Sequence, residues 1–303
     1  MLEYTYIFMT SKKLISLLVI AFIYVVALAS GYFMAYYLFD VHPILKLLIM
    51  DVFATFIVYL GSVVFKNTSV YDPYWSFVPW VLVIIAMVWF RVFTVPTLIL
   101  LVAFSFWSWR LTINWISTFK DISKEDWRYA KYREGNNKFV FEIINFFGLQ
   151  MMPTLLVFAG LIPYLVLLIG GTNYFSLIGA AIVIFGTLLE VIADHQVHEF
   201  LRTTKELKTC QLGLWNYSRH PNYLGEISIW FGLAIPAIIQ YPTIWYIYPG
   251  CILMFLLFYC ISIPLMEKRQ VVRRIDYKTY QKTTSKLFIL PKRKLKNIEE
   301  QAD

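Results

Sequence analysis

The sequence has few charged residues, few histidines and few cysteines, and each shortage excludes a class of protein. Only 15% of the 303 residues are charged, whereas 59% are hydrophobic and 18% are aromatic, which is not the composition of a soluble globular domain. The 4 histidines cannot supply the clusters that membrane desaturases and hydroxylases use to bind metal. The 3 cysteines lack metal-ligand spacing, so we predict neither a disulfide framework nor a metal site.

Long apolar runs recur from one end of the chain to the other. A helix needs about 20 apolar residues to cross a bilayer. About eight runs meet this requirement, at residues 14–39, 44–65, 77–91, 94–117, 142–170, 175–200, 223–241 and 243–265. The third run is short and the last two meet at Tyr241-Pro242, so seven and nine spans are the alternatives. The sequence predicts an all-α polytopic membrane bundle.

The lysines and arginines that give the net charge of +8 lie in alternate loops. With eight spans, Lys12, Lys66, the 118–138 loop, the 201–222 loop and the tail fall on one side of the membrane. The positive-inside rule predicts that this side, with both termini, is cytoplasmic. The membrane would be the plasma membrane of a bacterium or the endoplasmic reticulum of a eukaryote. We expect these cations to meet lipid headgroups and an anionic cofactor, not nucleic acid.

Polar side chains occur inside three of the predicted spans. An ionisable group there costs at least about 2.5 kcal/mol, which makes it a candidate functional residue. Three helix faces carry polar residues at four-residue steps: Arg110 and Asn114 in span four, Glu190, Asp194 and His198 in span six, and Asn222 and Glu226 in span seven. Residues four apart share a face, so we predict that these faces line a polar cavity. The alternative is a set of interhelical hydrogen bonds and buried ion pairs, such as Arg110 with Glu190 or Asp194.

The segment LWNYSRHPNYLGEISIW, residues 214–230, joins polar groups to the start of span seven. Pro221 fixes its own φ and disfavours helix at His220, so we predict that a helix begins near Asn222. Arg219 and His220 then lie just before a helix N-terminus, a position that suits phosphate or another anion. Ordinary anchoring at the membrane surface would explain Arg219 alone.

The tail at 266–297 is basic, with apolar and aromatic residues between the cations. Two interpretations are open: an interfacial helix held by lipid headgroups, or a segment of which part closes a cofactor site.

The motif GLWNYSRHPNYLGEISIWFG resembles the signature of the membrane steroid 5α-reductase superfamily, and more closely its bacterial-type, DUF1295-like branch. Further matches are DPYWSF at 72–77, WSWRLTINW at 107–115, EVIADHQ at 190–196, PLMEKR at 264–269 and YKTYQKTTSKLFILP at 277–291. The resemblance covers about 70–291. It implies a catalytic membrane domain at 67–303, with the transmembrane hairpin 1–66 outside the match.

The resemblance implies NADPH-dependent reduction of a polarised C=C bond in a lipophilic substrate of the steroid, sterol or isoprenoid kind, which enters from the bilayer. Hydride transfer would be followed by protonation. Asn222 and Glu226 would bind the nicotinamide side, while Arg219, Arg269 and Arg273 would meet the phosphates. The full set of implied cofactor-binding residues is Arg110, Asn114, Asp194, His198, Arg219, His220, Asn222, Tyr223, Glu226, Arg269, Arg273 and Tyr277.

One position departs from the steroid reductase pattern. Trp107 stands where those enzymes have a tyrosine that works with a glutamate on the substrate carbonyl. An indole donates a hydrogen bond but is no general acid, so Asp72 and Tyr74 join Trp107 as the catalytic candidates. This departure weakens the implication of a steroid substrate and leaves that of the cofactor unchanged.

Two other functions compete with the reductase. SRHPNYLGE, with EKRQ and YKTY in the tail, also resembles the isoprenylcysteine carboxyl methyltransferases, which would imply S-adenosylmethionine. That reading leaves DPYWSF and ADHQ without a role. The second alternative is a non-enzymatic, lipid-binding membrane protein.

Overall fold

The computed structural model describes residues 10–171, 173–204 and 207–293. This part of the chain is helical and contains no β-strand, only an isolated parallel bridge between Ser218 and Ser285. Eight helical stretches in it are long and apolar enough to cross a membrane: Ser11–Tyr37, Pro43–Val64, Thr68–Phe90, Val95–Thr118, Lys138–Gly170, Phe175–Thr203, Pro221–Gln240 and Trp245–Arg273. The predicted all-α polytopic bundle of eight spans is confirmed. Both termini lie outside the described residues, and their cytoplasmic location stays a prediction.

The chain forms two compact units, Met1–Thr172 and Asn173–Asp303. The boundary between residues 66 and 67 that the resemblance predicts lies inside the first unit.

The first unit contains five of the spans. Its helices are α1 (Ser11–Phe33), α2 (Pro43–Val64), α3 (Tyr74–Phe90), α4 (Val95–Thr118), α5 (Trp127–Glu134), α6 (Lys138–Ile143) and α7 (Met152–Gly170). A π-helical stretch, Ile144–Met151, joins α6 to α7. The third span starts earlier than the predicted residue 77 because a 3₁₀ turn, Thr68–Tyr71, precedes α3. The side chain of Asn67 caps this turn by accepting from the Ser69 N–H at 2.8 Å.

Buried hydrogen bonds join the helices of the first unit. The Tyr74 hydroxyl of α3 donates to Oδ1 of Asp51 in α2 at 2.8 Å. Thr154 of α7 lies 2.7 Å from the Tyr71 hydroxyl and 2.9 Å from Oγ1 of Thr55. In hydrocarbon such side-chain bonds hold helices together, because the alternative is a polar group without a partner.

The second unit contains the other three spans. Its helices are α8 (Phe175–Thr203), α9 (Pro221–Gln240), α10 (Pro249–Leu256), α11 (Ile263–Arg273) and α12 (Tyr277–Thr283). A π-helical stretch, Leu257–Ser262, joins α10 to α11 and makes them one span.

Glycines bring α8 and α9 into close backbone contact. A Cβ added at Gly225 would lie 2.5 Å from the carbonyl oxygen of Gly186, and one added at Gly179 would lie 2.5 Å from that of Gly232. Each helix therefore needs both of its glycines on this face, an arrangement typical of membrane helix pairs. The close packing fixes the start of α9 against the middle of α8.

The tail is not a single interfacial helix. Helix α11 ends because Arg274 adopts extended backbone angles, with φ −120° and ψ 124°, and α12 follows as a separate short helix. Beyond α12, Ser285 accepts from the Arg219 N–H at 2.9 Å and Tyr217 accepts from the Leu290 N–H at 3.2 Å. The tail thus folds back onto the segment that precedes α9, while residues 294–297 lie outside the described residues.

Candidate functional site

Helix α9 begins at Pro221, one residue before the predicted Asn222. Pro221 occupies the first helical position, where its missing N–H costs nothing. His220 has non-helical angles, φ −140° and ψ 60°, and its carbonyl accepts the first helical bond from the Leu224 N–H at 3.1 Å. Arg219 and His220 therefore lie directly before a helix N-terminus, as the sequence predicts.

Glu267 of α11 links both of these residues. Its Oε1 lies 2.8 Å from Nε of Arg219 and 3.1 Å from Nε2 of His220. Its Oε2 accepts from Nε2 of Gln281 at 2.8 Å, and Nη1 of Arg219 donates to the Gln281 carbonyl. The side chains of Arg219, His220 and Glu267 are only 10%, 5% and 12% exposed. The Arg219 N–H on Nε does not point at the oxygen, so that contact is an ion pair without a hydrogen bond.

The environment of His220 decides which of its ring nitrogens carries a proton. Burial lowers the pKa of His220, and this outweighs the opposite effect of Glu267. The ring is therefore neutral at neutral pH, with one N–H donor and one acceptor nitrogen. A carboxylate paired with arginine only accepts, so Nε2 carries the proton and Nδ1 remains an acceptor. The ring stacks on Tyr223, with centroids 5.4 Å apart and planes 9° apart.

A cavity of about 200 Å³ lies beside this cluster. Its polar lining consists of Thr209, Arg219, His220, Asn222, Gln270 and Arg274, and its aromatic lining of Phe200, Trp215, Tyr223, Tyr277 and Tyr280. Among the residues that the structure describes, no carboxylate lines it. Its charged groups are thus the two guanidiniums, of which Arg219 is already paired with Glu267. Nη1 of Arg274 donates to the Lys208 carbonyl at 2.9 Å. A carbonyl group carries no net charge, so this bond does not neutralise the Arg274 guanidinium.

The tail closes one side of this cavity. Oδ1 of Asp276 accepts from both N and Oγ1 of Thr209, at 2.9 and 2.7 Å. Burial would raise the pKa of Asp276, but these hydrogen bonds lower it overall. Oγ of Ser218 donates to the Leu287 carbonyl at 2.6 Å, and the Tyr280 hydroxyl donates to the Ser218 carbonyl at 3.1 Å. Residues 274–287 therefore cover the loop that lines the cavity.

Five residues that the sequence predicts for a cofactor site line this cavity: Arg219, His220, Asn222, Tyr223 and Tyr277. Five others in the same unit do not line it: Asp194, His198, Glu226, Arg269 and Arg273. Glu226 is 5% exposed and its Oε1 accepts from Nε1 of Trp230 at 3.0 Å. His198 and Arg273 are exposed, while Asp194 and Arg269 are half-buried.

Sequence reasoning missed several residues of this region, among them Glu267, Gln270, Arg274 and Tyr280. Glu267 lies within the PLMEKR match, but only the fold shows that it meets His220, which is 47 residues away. Gln270 and Arg274 follow it on the same face of α11 and its extension. The four-residue spacing of Gln270 and Arg274 is a signal that a search for polar helix faces in the tail could have used.

The remaining predicted residues lie in the first unit. Tyr74 is 1% exposed and bonded to Asp51, and Trp107 is 0% exposed with its ring 5.0 Å from that of Phe104. Arg110 is half-buried in α4. Asp72 and Asn114 line a second cavity, of about 660 Å³, together with Trp75. The predicted convergence of span four with spans six and seven stays a prediction.

The described residues contain no group of three or more histidines, cysteines, aspartates or glutamates that could hold a metal ion. Cys210, which lines the smaller cavity, is a buried free thiol; Cys251 is also buried and free, and Cys260 is exposed.

No solved structure matches this chain. The chain is 23% identical over 201 residues to Uncharacterized protein C594.04c of Schizosaccharomyces pombe, an alignment that covers 57% of this chain and 58% of that protein. The chain thus spans less than two thirds of the length of this relative. A family model described as Protein of unknown function (DUF1295) matches residues 58–284, which include the start of α9, α11 and all residues that line the two cavities. The chain therefore belongs to the DUF1295 family, which is related to the steroid 5α-reductases.

Proposed function

We propose that this protein is an NADPH-dependent membrane reductase of a polarised C=C bond in a lipophilic substrate. The observation that carries the proposal is the cavity at the start of α9. Its lining combines guanidiniums, amides and aromatic rings, without a carboxylate among the described residues. Phosphates need cations and N–H donors, and a planar base needs aromatic and amide partners. The lining offers both kinds of group, so these residues fit an anionic dinucleotide.

The charges of the cavity suggest which residues would bind the phosphates of the cofactor and which would bind its base. Arg274 is the better phosphate ligand, because Arg219 shares its charge with Glu267 at 2.8 Å. Asn222 and Gln270 would donate to and accept from the edge of a base, while Tyr223 and Tyr277 pack on its face. The volume of about 200 Å³ is below the roughly 300–1,000 Å³ of a site that encloses a drug-sized ligand. These residues would therefore enclose one part of the cofactor.

NADPH, when bound, supplies the hydride, and the chain supplies position, shielding and a proton. Neutral His220 presents an acceptor nitrogen, because its Nε2–H is held by Glu267. The tail covers one side of the cavity through the bonds from Thr209 and Ser218 and would shield a bound cofactor on that side. Among the three catalytic candidates, Asp72 is the one that lines a cavity. The Tyr74 hydroxyl is committed to Asp51 and Trp107 is fully buried, which leaves Asp72 as the candidate acid; it would donate a proton only when its carboxyl group is protonated.

Thermal unfolding of the detergent-purified protein with NADPH, NADH or S-adenosylmethionine tests the proposal. A ligand at 100 times its Kd stabilises by about 2.7 kcal/mol. We expect NADPH to raise the Tm of the wild type, and Asn222→Ala or Arg274→Gln to reduce that shift. Arg273→Gln is the matched control, since it removes the same charge from an exposed neighbour that does not line the cavity. Equal shifts in all four proteins would refute the assignment of this cavity.

One observation favours the methyltransferase alternative. The cavity is lined from SRHPNY and the tail, and Glu267 of EKRQ contacts His220 of SRHPNY at 3.1 Å. These are the segments on which the resemblance to isoprenylcysteine carboxyl methyltransferases rests. A shift with S-adenosylmethionine alone, lost in Asn222→Ala, would replace the reductase by a methyltransferase. No shift with any of the three ligands would favour the non-enzymatic lipid-binding protein.

A further inference from the structure

The larger cavity of the first unit lies where two membrane spans end. It has a volume of about 660 Å³ and is lined by the start of α3, the end of α4 and the 118–129 segment. Consecutive spans are antiparallel, so the start of the third span and the end of the fourth lie at the same membrane surface. The positive charge of the 118–138 loop predicts that this surface is cytoplasmic.

The carboxylates that line this cavity already have partners within the protein. Glu125 accepts from Nε and Nη2 of Arg133 at 3.0 and 2.9 Å and from the Thr68 N–H at 2.8 Å. Asp126 accepts from Nε of Arg128 at 2.8 Å and caps α5 through the Arg128 N–H at 2.9 Å.

The third carboxylate, Asp72, is also engaged. Its side chain is 14% exposed, its Oδ1 accepts from the Tyr129 hydroxyl, and Nη2 of Arg128 lies 3.9 Å away. The acidic half of the cavity is therefore satisfied internally. Two arginines, Arg128 and Arg133, face these three carboxylates, so one negative charge remains, fewer than the two positive charges of the lysines described next.

The basic side chains of the cavity differ from the acidic ones, because two of their ammonium groups are not paired with a carboxylate. Lys120 and Lys124 line the cavity and are exposed. Among the residues that the structure describes, neither side chain has a hydrogen-bond or ion-pair partner. The lining also contains the aromatic side chains of Trp75 and Trp115. Tryptophan is typical of the membrane–water interface, and basic pockets between spans on the cytoplasmic side bind acidic lipid headgroups.

We propose that this cavity binds the phosphate-bearing headgroup of an anionic lipid. The ammonium groups of Lys120 and Lys124 hold the phosphate, and Trp75 and Trp115 contact the adjoining apolar part of the lipid. The site is defined by a cavity at the ends of two spans, not by the net charge of the loop. The proposal is independent of NADPH binding, which the Arg274→Gln variant tests separately.

The test measures lipid binding to the detergent-purified protein by native mass spectrometry, with phosphatidylglycerol and phosphatidylcholine as probes. An anionic headgroup gains about 1 kcal/mol per basic residue. The double substitution Lys120→Gln with Lys124→Gln should therefore weaken phosphatidylglycerol binding by about 30-fold and remove the preference over phosphatidylcholine. Lys120→Arg with Lys124→Arg should retain it.

The matched control is Lys131→Gln with Lys138→Gln, which removes the same charge from the same loop outside the cavity lining. This control should keep the wild-type affinity. Equal losses in the two double variants would mean that the loop attracts anionic lipid only by its overall charge, and the proposed site would be wrong. Displacement of the lipid by equimolar inorganic phosphate would identify free phosphate as the ligand and would overturn the lipid assignment. The variant with Lys120→Gln and Lys124→Gln should melt like the wild type, because among the described residues neither ammonium group makes a hydrogen bond or an ion pair, and Lys124 has only an electrostatic interaction with Asp121.

Discussion

The carboxylate of Glu267 should stabilise the second unit, because it pairs with a nearly buried guanidinium. Breaking a buried pair by removing one partner costs about 3–5 kcal/mol. Here the side chains of Arg219 and Glu267 are 10% and 12% exposed, and Arg219 keeps its bond to the Gln281 carbonyl. We therefore expect Glu267→Gln to cost about 2–3 kcal/mol, since residual solvation and the remaining bond offset part of the loss. At roughly 2 °C per kcal/mol for a chain of this size, the Tm should fall by about 5 °C.

The cause is tested with a double-mutant cycle. The variant with both Arg219→Gln and Glu267→Gln should be more stable than the sum of the two single losses predicts, because it leaves no unpaired charge. The control is Glu199→Gln, which breaks a surface pair in which the side chains of Arg202 and Glu199 are 72% and 46% exposed. It should cost less than about 1 kcal/mol. All four variants are melted in one detergent at one scan rate. A Glu267→Gln variant as stable as Glu199→Gln, or strictly additive losses, would refute the reasoning.

Three further predictions concern packing, pH and the tail. Gly225→Ala should lower the free energy of unfolding by about 1–3 kcal/mol or more, because the new Cβ would lie 2.5 Å from the Gly186 carbonyl oxygen. The control is Gly148→Ala, where the nearest atom would be 3.9 Å away, and this variant should unfold like the wild type. Burial lowers the pKa of His220 below its usual 6.5, so between the folded and the unfolded pKa the unfolded chain binds more protons than the folded one. The contribution of neutral His220 to stability is therefore complete above pH 6.5 and is lost as the pH falls. In a series of melting curves from pH 8 to 5, the Tm of His220→Gln should depend less on pH than that of the wild type. Tyr280→Phe removes hydroxyl bonds to the carbonyls of Trp215 and Ser218 and should cost about 1 kcal/mol in the same melting assay.

The spans and the start of α9 could be predicted from the sequence because local physics decides both. The length of an apolar run sets each span, and the eight predicted runs correspond to the eight observed ones. Pro221 restricts His220 whatever surrounds it, so the predicted helix start is displaced by a single residue. The third span is the exception. It starts early because Asn67 caps a 3₁₀ turn that precedes α3, and a hydropathy pattern does not detect such a cap.

The cavity could be predicted only in part, because its far wall depends on the tail. The polar residues next to Pro221 line it. Glu267 meets Arg219 only through the packing of α11, and Arg274 joins the lining only because α11 ends at Arg273 and the chain turns there. The four-residue rule correctly places Glu226 one turn after Asn222. The rule does not specify the neighbours of that turn. In the structure Nε1 of Trp230, in the same helix, donates a hydrogen bond to the Glu226 carboxylate.

The half of NADPH that enters the small cavity decides between the two enzymatic proposals. A cavity of about 200 Å³ has room for one half only, and NADPH shares its adenosine with S-adenosylmethionine. If the nicotinamide half binds there, as the resemblance implies for Asn222, Asn222→Ala should weaken reduced nicotinamide mononucleotide and NADPH by the same factor. Loss of one neutral hydrogen bond predicts about 5- to 10-fold. The affinity for 2′,5′-ADP, measured by isothermal calorimetry, should not change. The reverse pattern would place adenosine beside Asn222, where a methyl donor would bind equally well, and the reductase would lose its main support.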